Sequence, residues 1–304
     1  MAVFKLGTRG SPLALTQAEM VRDALAAAHK RPASDFEIVV IRTTGDKVQD
    51  RPLAEIGGKA LWTKELDRAL LAGEIDASVH SMKDVETLRP DMIAIAAMLP
   101  RADVRDRLVG APSIAAIPQG GVLGTSSPRR AAQIRRLRPD LSVTLFRGNV
   151  DTRLARLAQG EADATLLAAA GLDRLRRHDV GTPIPTNILL PAPAQGAVGV
   201  EIRADDAHAR EMLRAIDHVE THACIAAERA LLAALKAGCH SPVAALATIA
   251  GGILTLEAEL LSEDGAAHVH GAIEGAPLDH ALPAALARDL LARAPAAVRR
   301  LFEG

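Results

Sequence analysis

The stretch "LGTSSPRR", Leu123 to Arg130, and its earlier counterpart "LGTRGSPLAL", Leu6 to Leu15, decide the reading of the chain. Each reads as the end of an apolar strand, a tight Gly-Thr turn and a helix that begins at Ser-Pro. In the later copy Ser126 or Ser127 can accept the first free N–H groups of the helix, and Pro128 suits the first helical position. The echo continues downstream. "FEIVVIRTTGD" matches "LSVTLFRGNVD", each an apolar strand ending in a basic residue. "LLAGEIDASV" (Leu70 to Val79) matches "RLAQGEADATLL" (Arg156 to Leu167), each a helix closed by Gly and followed by a short strand. Alternating helix and strand periods imply βαβ units and mainly parallel or mixed sheets. Two similar α/β lobes follow, with ligands expected at the carboxyl ends of the strands, where both Gly-Thr turns lie.

The boundary between the lobes is expected near Pro100, within "MLPRADVRDRLVG". The Pro-rich stretch "GTPIPTNILLPAPAQGAVGVEIR" leads out of the second lobe, and "AVGVEIR" is expected to return to the first as a strand, giving a two-strand hinge. A helix from about Val219 to Lys236 ends at "AGCHSP". Three alternating stretches and one final amphipathic helix, "HALPAALARDLLARAPAAVRRLF", complete the chain. The expected division is 1–99 plus 197–217 for lobe one, 100–196 for lobe two, and 218–304 for a small α+β domain with a three-stranded antiparallel sheet.

At 304 residues the chain can hold two or three domains, and 49% apolar with 24% charged residues is ordinary for a soluble globular protein. Four Phe, one Trp and no Tyr leave the cores to Ala, Leu, Val and Ile. That scarcity argues against nucleic-acid binding by base stacking. The net charge is −1, yet 29 Arg stand against seven Lys, and Arg129, Arg130, Arg135, Arg136, Arg138, Arg147 and Arg153 are clustered. Two cysteines make no disulfide framework, which suits a reducing compartment. The N-terminal stretch has no continuous apolar segment and no apolar run reaches a membrane-spanning length, so a cytoplasmic protein without a membrane partner is expected.

Arg129 and Arg130 fall in the first turn of a helix, where the macrodipole disfavours a cation by about 0.3–1 kcal/mol. A bound carboxylate reverses this, taking free N–H groups and charge-assisted bonds worth about 1.5–3 kcal/mol each. Arg9 occupies the matching turn of the first lobe, and Arg147 and Arg153 flank "RGNVDTR". An inter-lobe cleft lined in this way should take a ligand with many negative groups. Arg135, Arg136 and Arg138 are expected to be solvated or paired with nearby Asp. In "VHSMKDV" a strand delivers Lys83 and Asp84 to its carboxyl end. Surrounded by cations, Asp84 should stay ionised and either stabilise a cationic intermediate or accept a substrate N–H. "GGKAL" fails the phosphate-loop pattern, and "QDRPLAEIGGKALW" reads as a mobile loop ending at Trp62. Cys239 follows a helix C-terminus, which does not favour a thiolate; it suits a small buried thiol or attachment to a strong electrophile. His218, His222, Cys224, Cys239 and His240 match no common zinc spacing, so no metal is expected.

Together "TRGSPLAL", "GGKALWTKEL", "DASVHSMKDV", "GTSSPRR", "RGNVDTRL", "PAPAQGAVGVE" and "AGCHSP", in this order, resemble the porphobilinogen deaminase (hydroxymethylbilane synthase) family. The resemblance implies two lobes like periplasmic binding proteins and a third α+β domain. It implies a transferase of tetrapyrrole (heme) biosynthesis with a covalent dipyrromethane, made from two porphobilinogens and held by a thioether to Cys239. Four further porphobilinogens are deaminated and joined head to tail, and hydroxymethylbilane and ammonia are released. The product would pass from a monomeric enzyme to a uroporphyrinogen-III synthase. Asp84 and Lys83 take the catalytic roles by resemblance, and with Ser127, Arg129 and Arg130 they hold the cofactor. Arg9, Ser11, Thr125, Arg147, Arg153, Arg174 and Gln195 would bind the acetate and propionate groups of the substrate. There are three departures from the pattern: Glu86 stands where the family usually has Pro, Pro128 replaces an aliphatic residue, and "CHSP" replaces "CQVP". The competing reading is a cytosolic anion-binding or sensor protein of the same lobed fold, which needs neither Asp84 nor Cys239.

Overall fold

A computed structural model describes residues 3–42, 63–238 and 240–303; the whole stretch read as a mobile loop, 49–62, and Cys239 lie outside the described residues. The chain divides into two compact units, Met1–Ala102 with Gly196–His222, and Asp103–Gln195 with Ala223–Gly304.

The first unit is built on β1 (Phe4–Arg9), β2 (Phe36–Ile41), β3 (Ala77–Ser81), β4 (Ile93–Met98) and β10 (Val198–Arg203). Their order is β2-β1-β3-β10-β4. β1 runs parallel to β2 and β3, and "AVGVEIR" enters as β10, antiparallel to β3 and β4. Helices α1 (Pro12–His29), α2 (Lys64–Leu71) and α6 (Ala207–Arg214) accompany the sheet. Ser11 caps α1, its hydroxyl accepting from the Ala14 N–H at 3.3 Å, with Pro12 next. Phe4, Leu6, Val21, Leu25, Val198 and Val200 form the dry centre of this layer.

The second unit repeats the plan. Its sheet, in the order β7-β6-β8-β5-β9, consists of β5 (Asp106–Val109), β6 (Val122–Gly124), β7 (Ser142–Thr144), β8 (Ala164–Ala168) and β9 (Thr182–Pro183). Here β6 is parallel to β7 and β8, and β5 lies antiparallel to β8 and β9. Helix α3 (Pro128–Leu137) follows β6, α4 (Val150–Ala158) follows β7, and α5 (Ala169–Arg174) follows β8. Ser127, not Ser126, caps α3, accepting from the Arg130 N–H at 3.4 Å. The echo extends to detail: the Lys5 N–H donates to the Asp76 carboxylate and the Val122 N–H to that of Asp163, both at 2.7 Å.

Residues 223–304 of this unit carry a separate core in which Leu231, Leu256, Leu260, Leu290 and Phe302 are buried. Strands β11 (Val243–Ala250), β12 (Ile253–Leu261) and β13 (His268–Gly275) form an antiparallel sheet beside α7 (Val219–Ala234) and α8 (Leu282–Arg293). Gly251 and Gly252, at φ 57° and 77°, make the tight turn between β11 and β12 that suits the strand twist. The single closing helix expected from the sequence is broken. Pro295 forces Ala294 out of the helical region (ψ 134°), and a short α9 (Ala296–Arg299) follows.

The Gly-Thr turns owe their glycines to crowding. A Cβ on Gly124 would stand 2.5 Å from the Phe146 ring, and one on Gly7 2.2 Å from Ile75 Cδ1. Gly124→Ala is therefore expected to lower the unfolding free energy by about 1–3 kcal/mol in urea denaturation; unchanged stability would show that the ring can move aside.

Candidate active site

In the first unit, β1 and β3 are parallel neighbours in the register Gly7 with Ser78, so their carboxyl ends lie side by side. Arg9 and Ser11 stand at the end of β1. β3 runs into a 3-10 turn, Met82–Asp84, that carries Lys83 and Asp84. This turn is held from below. The Met82 N–H donates to the Ala197 carbonyl at 3.1 Å, and the Met82 side chain is buried where a Cβ on Gly199 would lie 2.2 Å from its sulfur. The Gln17 amide donates to Ser81 Oγ at 2.7 Å. Asp84 is half-buried, and among the described residues its carboxylate has no hydrogen-bond or ion-pair partner.

The second unit collects its named residues at the corresponding strand ends: Thr125 and Ser127 after β6, Arg147 and Arg153 after β7, Arg174 at the end of α5 after β8. The antiparallel β5 begins at that same end with Asp106, opposite Ala168. Asp106 explains the two arginines at the helix start. Arg130 Nη2 donates to its Oδ1 at 2.6 Å and Arg129 Nη2 to its Oδ2 at 2.8 Å, all three side chains being buried. Each of the two guanidiniums is thus engaged by an internal carboxylate in this structure. Arg129 also donates to the Leu190 carbonyl and Gln133, and Arg130 to the Leu166 carbonyl. Gln195 completes the cluster, its amide donating to Asp106 Oδ1 at 2.9 Å and the Val104 carbonyl at 2.8 Å.

Two guanidiniums against one carboxylate leave one net positive charge in a buried place. Burial alone would raise the Asp106 pKa, but Arg130 and Arg129 hold it far below the usual carboxylate range. Burial pushes the Arg129 guanidinium down, an effect Asp106 only partly offsets. Arg174 is likewise pushed down by burial, to about 10, with Asp173 opposing the shift. Arg147 is buried, and its Nη1 has no hydrogen-bond partner among the described residues. Arg153 Nε donates to the Gly148 carbonyl at 3.1 Å. Desolvated guanidiniums of this kind have the chemistry to pair with carboxylates.

The remaining candidates are accounted for locally. Arg138 pairs with Asp140, Arg136 with Glu259, and Arg135 donates to the Glu263 carbonyl. His222 pairs with Asp217, while His218 and Thr221 share a hydrogen bond. Among the described residues no group of three or more His, Cys, Asp or Glu could hold a metal ion, and no helix is long and apolar enough to cross a membrane. Beside Cys239, Gly238 and Ser241 bond to each other, so the serine of "CHSP" closes this turn. Asp106 was missed at the sequence level; the one available signal was an acid opening the apolar strand "DRLV".

Asp106→Asn would leave two buried guanidiniums without their anion, so it is expected to lose about 3–5 kcal/mol of unfolding free energy at pH 7. Because the folded pKa is depressed, this contribution is full above the unfolded value of about 3.9 and fades as pH falls below it. The gap between wild type and variant in urea unfolding should therefore narrow under acid. Equal stability at pH 7 would contradict the assignment.

Two family models match the chain. The family model described as "Porphobilinogen deaminase, dipyromethane cofactor binding domain" matches residues 4–211, and that of the "Porphobilinogen deaminase, C-terminal domain" matches residues 222–292. The porphobilinogen deaminase of Sphingopyxis alaskensis is 60% identical over 98% of this chain and 96% of its own length. That of Paracoccus denitrificans is 50% identical over 96% and 95%. Among solved structures, a periplasmic His/Glu/Gln/Arg/opine family-binding protein from Silicibacter pomeroyi aligns at 17% identity with a TM-score of 0.38, covering 70% of this chain and 88% of its own. The family models cover most of the chain and the relatives match nearly all of it: this chain belongs to the porphobilinogen deaminase family.

Proposed function

We propose that Asp84 is the catalytic carboxylate, with Lys83 beside it, in the hydroxymethylbilane synthase reaction that family membership assigns to this chain. The reaction deaminates porphobilinogen and joins the pyrroles head to tail, releasing hydroxymethylbilane and ammonia. Membership thus selects the enzyme over the anion-binding or sensor reading. The observation that carries the role of Asp84 is a half-buried carboxylate at a strand end, without a partner among the described residues, on a turn pinned by Met82. Such a carboxylate can accept pyrrole N–H groups and stabilise the positive charge that develops as ammonia leaves.

The dipyrromethane of this family carries four carboxylates, and the residues of the second unit suit it. The Arg129–Asp106–Arg130 cluster keeps a net positive charge, Arg147 has a buried Nη1 without a hydrogen-bond partner among the described residues, and burial depresses Arg174. Each of these is relieved by an incoming anion. We assign Cys239 as its covalent anchor and Ser127, Arg129, Arg130, Lys83 and Asp84 as its binding residues. Bound there, the group supplies the terminal pyrrole to which substrate is joined. Arg9, Ser11, Thr125, Arg147, Arg153, Arg174 and Gln195 hold the acidic arms of substrate. The three-domain division is part of the same proposal, supported by the separate core of residues 224–302. So are a monomeric, cytoplasmic enzyme and transfer of its linear product to a uroporphyrinogen-III synthase.

Asp84→Asn changes charge with almost no change of volume. Turnover of porphobilinogen is expected to fall by at least about 10²-fold while thermal unfolding stays within a few degrees of wild type. Wild-type turnover in the variant would remove Asp84 from the chemistry.

A further inference from the structure

Past the catalytic turn, the chain enters a buried ionic cluster that the reaction does not use. Arg89 forks onto Glu201, Nε to Oε1 at 2.8 Å and Nη2 to Oε2 at 2.9 Å. Its Nη2 also reaches Asp67 at 2.5 Å and its Nη1 reaches Glu86 at 2.8 Å. Glu86 accepts in turn from the Thr63 hydroxyl, at 3.0 and 2.8 Å. Thr63 precedes α2 in the N-cap position, yet its side chain caps nothing because it is committed to Glu86. His80 Nε2 stands 3.2 Å from the buried Glu201, beside the register shift between β10 and β4. Burial would raise the Glu201 pKa, but His80 and Arg89 bring it to about 2.

One guanidinium thus faces three carboxylates from three places: α2, β10 and the segment just after Asp84. An apolar cluster would stabilise the fold at least as well. What the ionic cluster adds is direction, since a bidentate Arg fixes both partners in a plane. Glu86 is two residues from Asp84, within about 7 Å of extended chain. The Met82 anchor fixes one side of the catalytic turn and the Glu86–Arg89 pair the other. Resting on the reading of Asp84 given above, we infer that Glu86 and Arg89 are positioning residues: they replace the usual proline by tying the Lys83–Asp84 turn to α2 and β10, and so set where the Asp84 carboxylate stands.

The test compares cofactor-loaded wild type with Glu86→Ala, Glu86→Gln and Thr63→Val, with loading checked by intact mass and folding by thermal unfolding. Arg89 is left intact because its loss would strand three acids. In Glu86→Ala and Thr63→Val, kcat is expected to fall about tenfold with KM changed less than about threefold, and Glu86→Gln, which still accepts both hydrogen bonds, should restore kcat to within about threefold. Wild-type kcat in folded, loaded Glu86→Ala overturns the inference, as does Glu86→Gln failing as badly as Glu86→Ala, since charge rather than placement would then matter. Asp84→Asn in the same series separates the two readings. If it is inactive while Glu86→Ala is normal, only the positioning role fails; if it is fully active, the role of Asp84 fails and this inference with it.

Discussion

The second unit depends on one buried carboxylate. Asp106 lies between Arg129 and Arg130 and also takes the Gln195 amide. Through Arg129 and Gln133 the same cluster reaches the Leu190 carbonyl and Glu259 on β12. Without that anion, two guanidiniums could not be kept at a helix start in a dry interior, because dipole and desolvation both oppose them. With it, the two guanidiniums and one carboxylate carry a net positive charge, which Glu259 nearby moderates.

The first unit uses the opposite excess on the same plan. There one cation, Arg89, serves Glu201, Asp67 and Glu86, and the strand end presents Asp84 without a partner among the described residues. Two copies of a strand–turn–helix unit have thus been charged differently. One concentrates guanidiniums at its strand ends; the other presents the Asp84 carboxylate, for which we propose the catalytic role. The division matches the reaction, whose substrate and product carry many negative arms while positive charge arises only in passing at the reacting carbon.

Local signals made much of this legible. Ser-Pro after Gly-Thr marks a capped helix wherever it occurs, and repeating it after matching strands exposed the doubled α/β plan. The placement of Lys83 and Asp84 after β3 followed from the same strand logic. The pairing of Arg129 and Arg130 did not, because Asp106 is more than twenty residues away and is brought alongside only by the antiparallel insertion of β5. Glu86 was visible as a departure, but its partners Thr63 and Arg89 depend on tertiary packing. The break at Ala294 was readable from Pro295 and was overridden by the amphipathic pattern around it.

The central claim is the proposal that an acidic pyrrole chain is built on Cys239 by a fold with surplus positive charge in one unit and the Asp84 carboxylate at a strand end of the other. Intact mass spectrometry of the purified protein, titrated with less than saturating porphobilinogen, tests it most directly. The account predicts a resting mass above that of the sequence by one dipyrromethane, then a ladder of discrete covalent species, each heavier by one deaminated porphobilinogen. A protein that stays at its bare sequence mass throughout and still releases hydroxymethylbilane at full rate would contradict it.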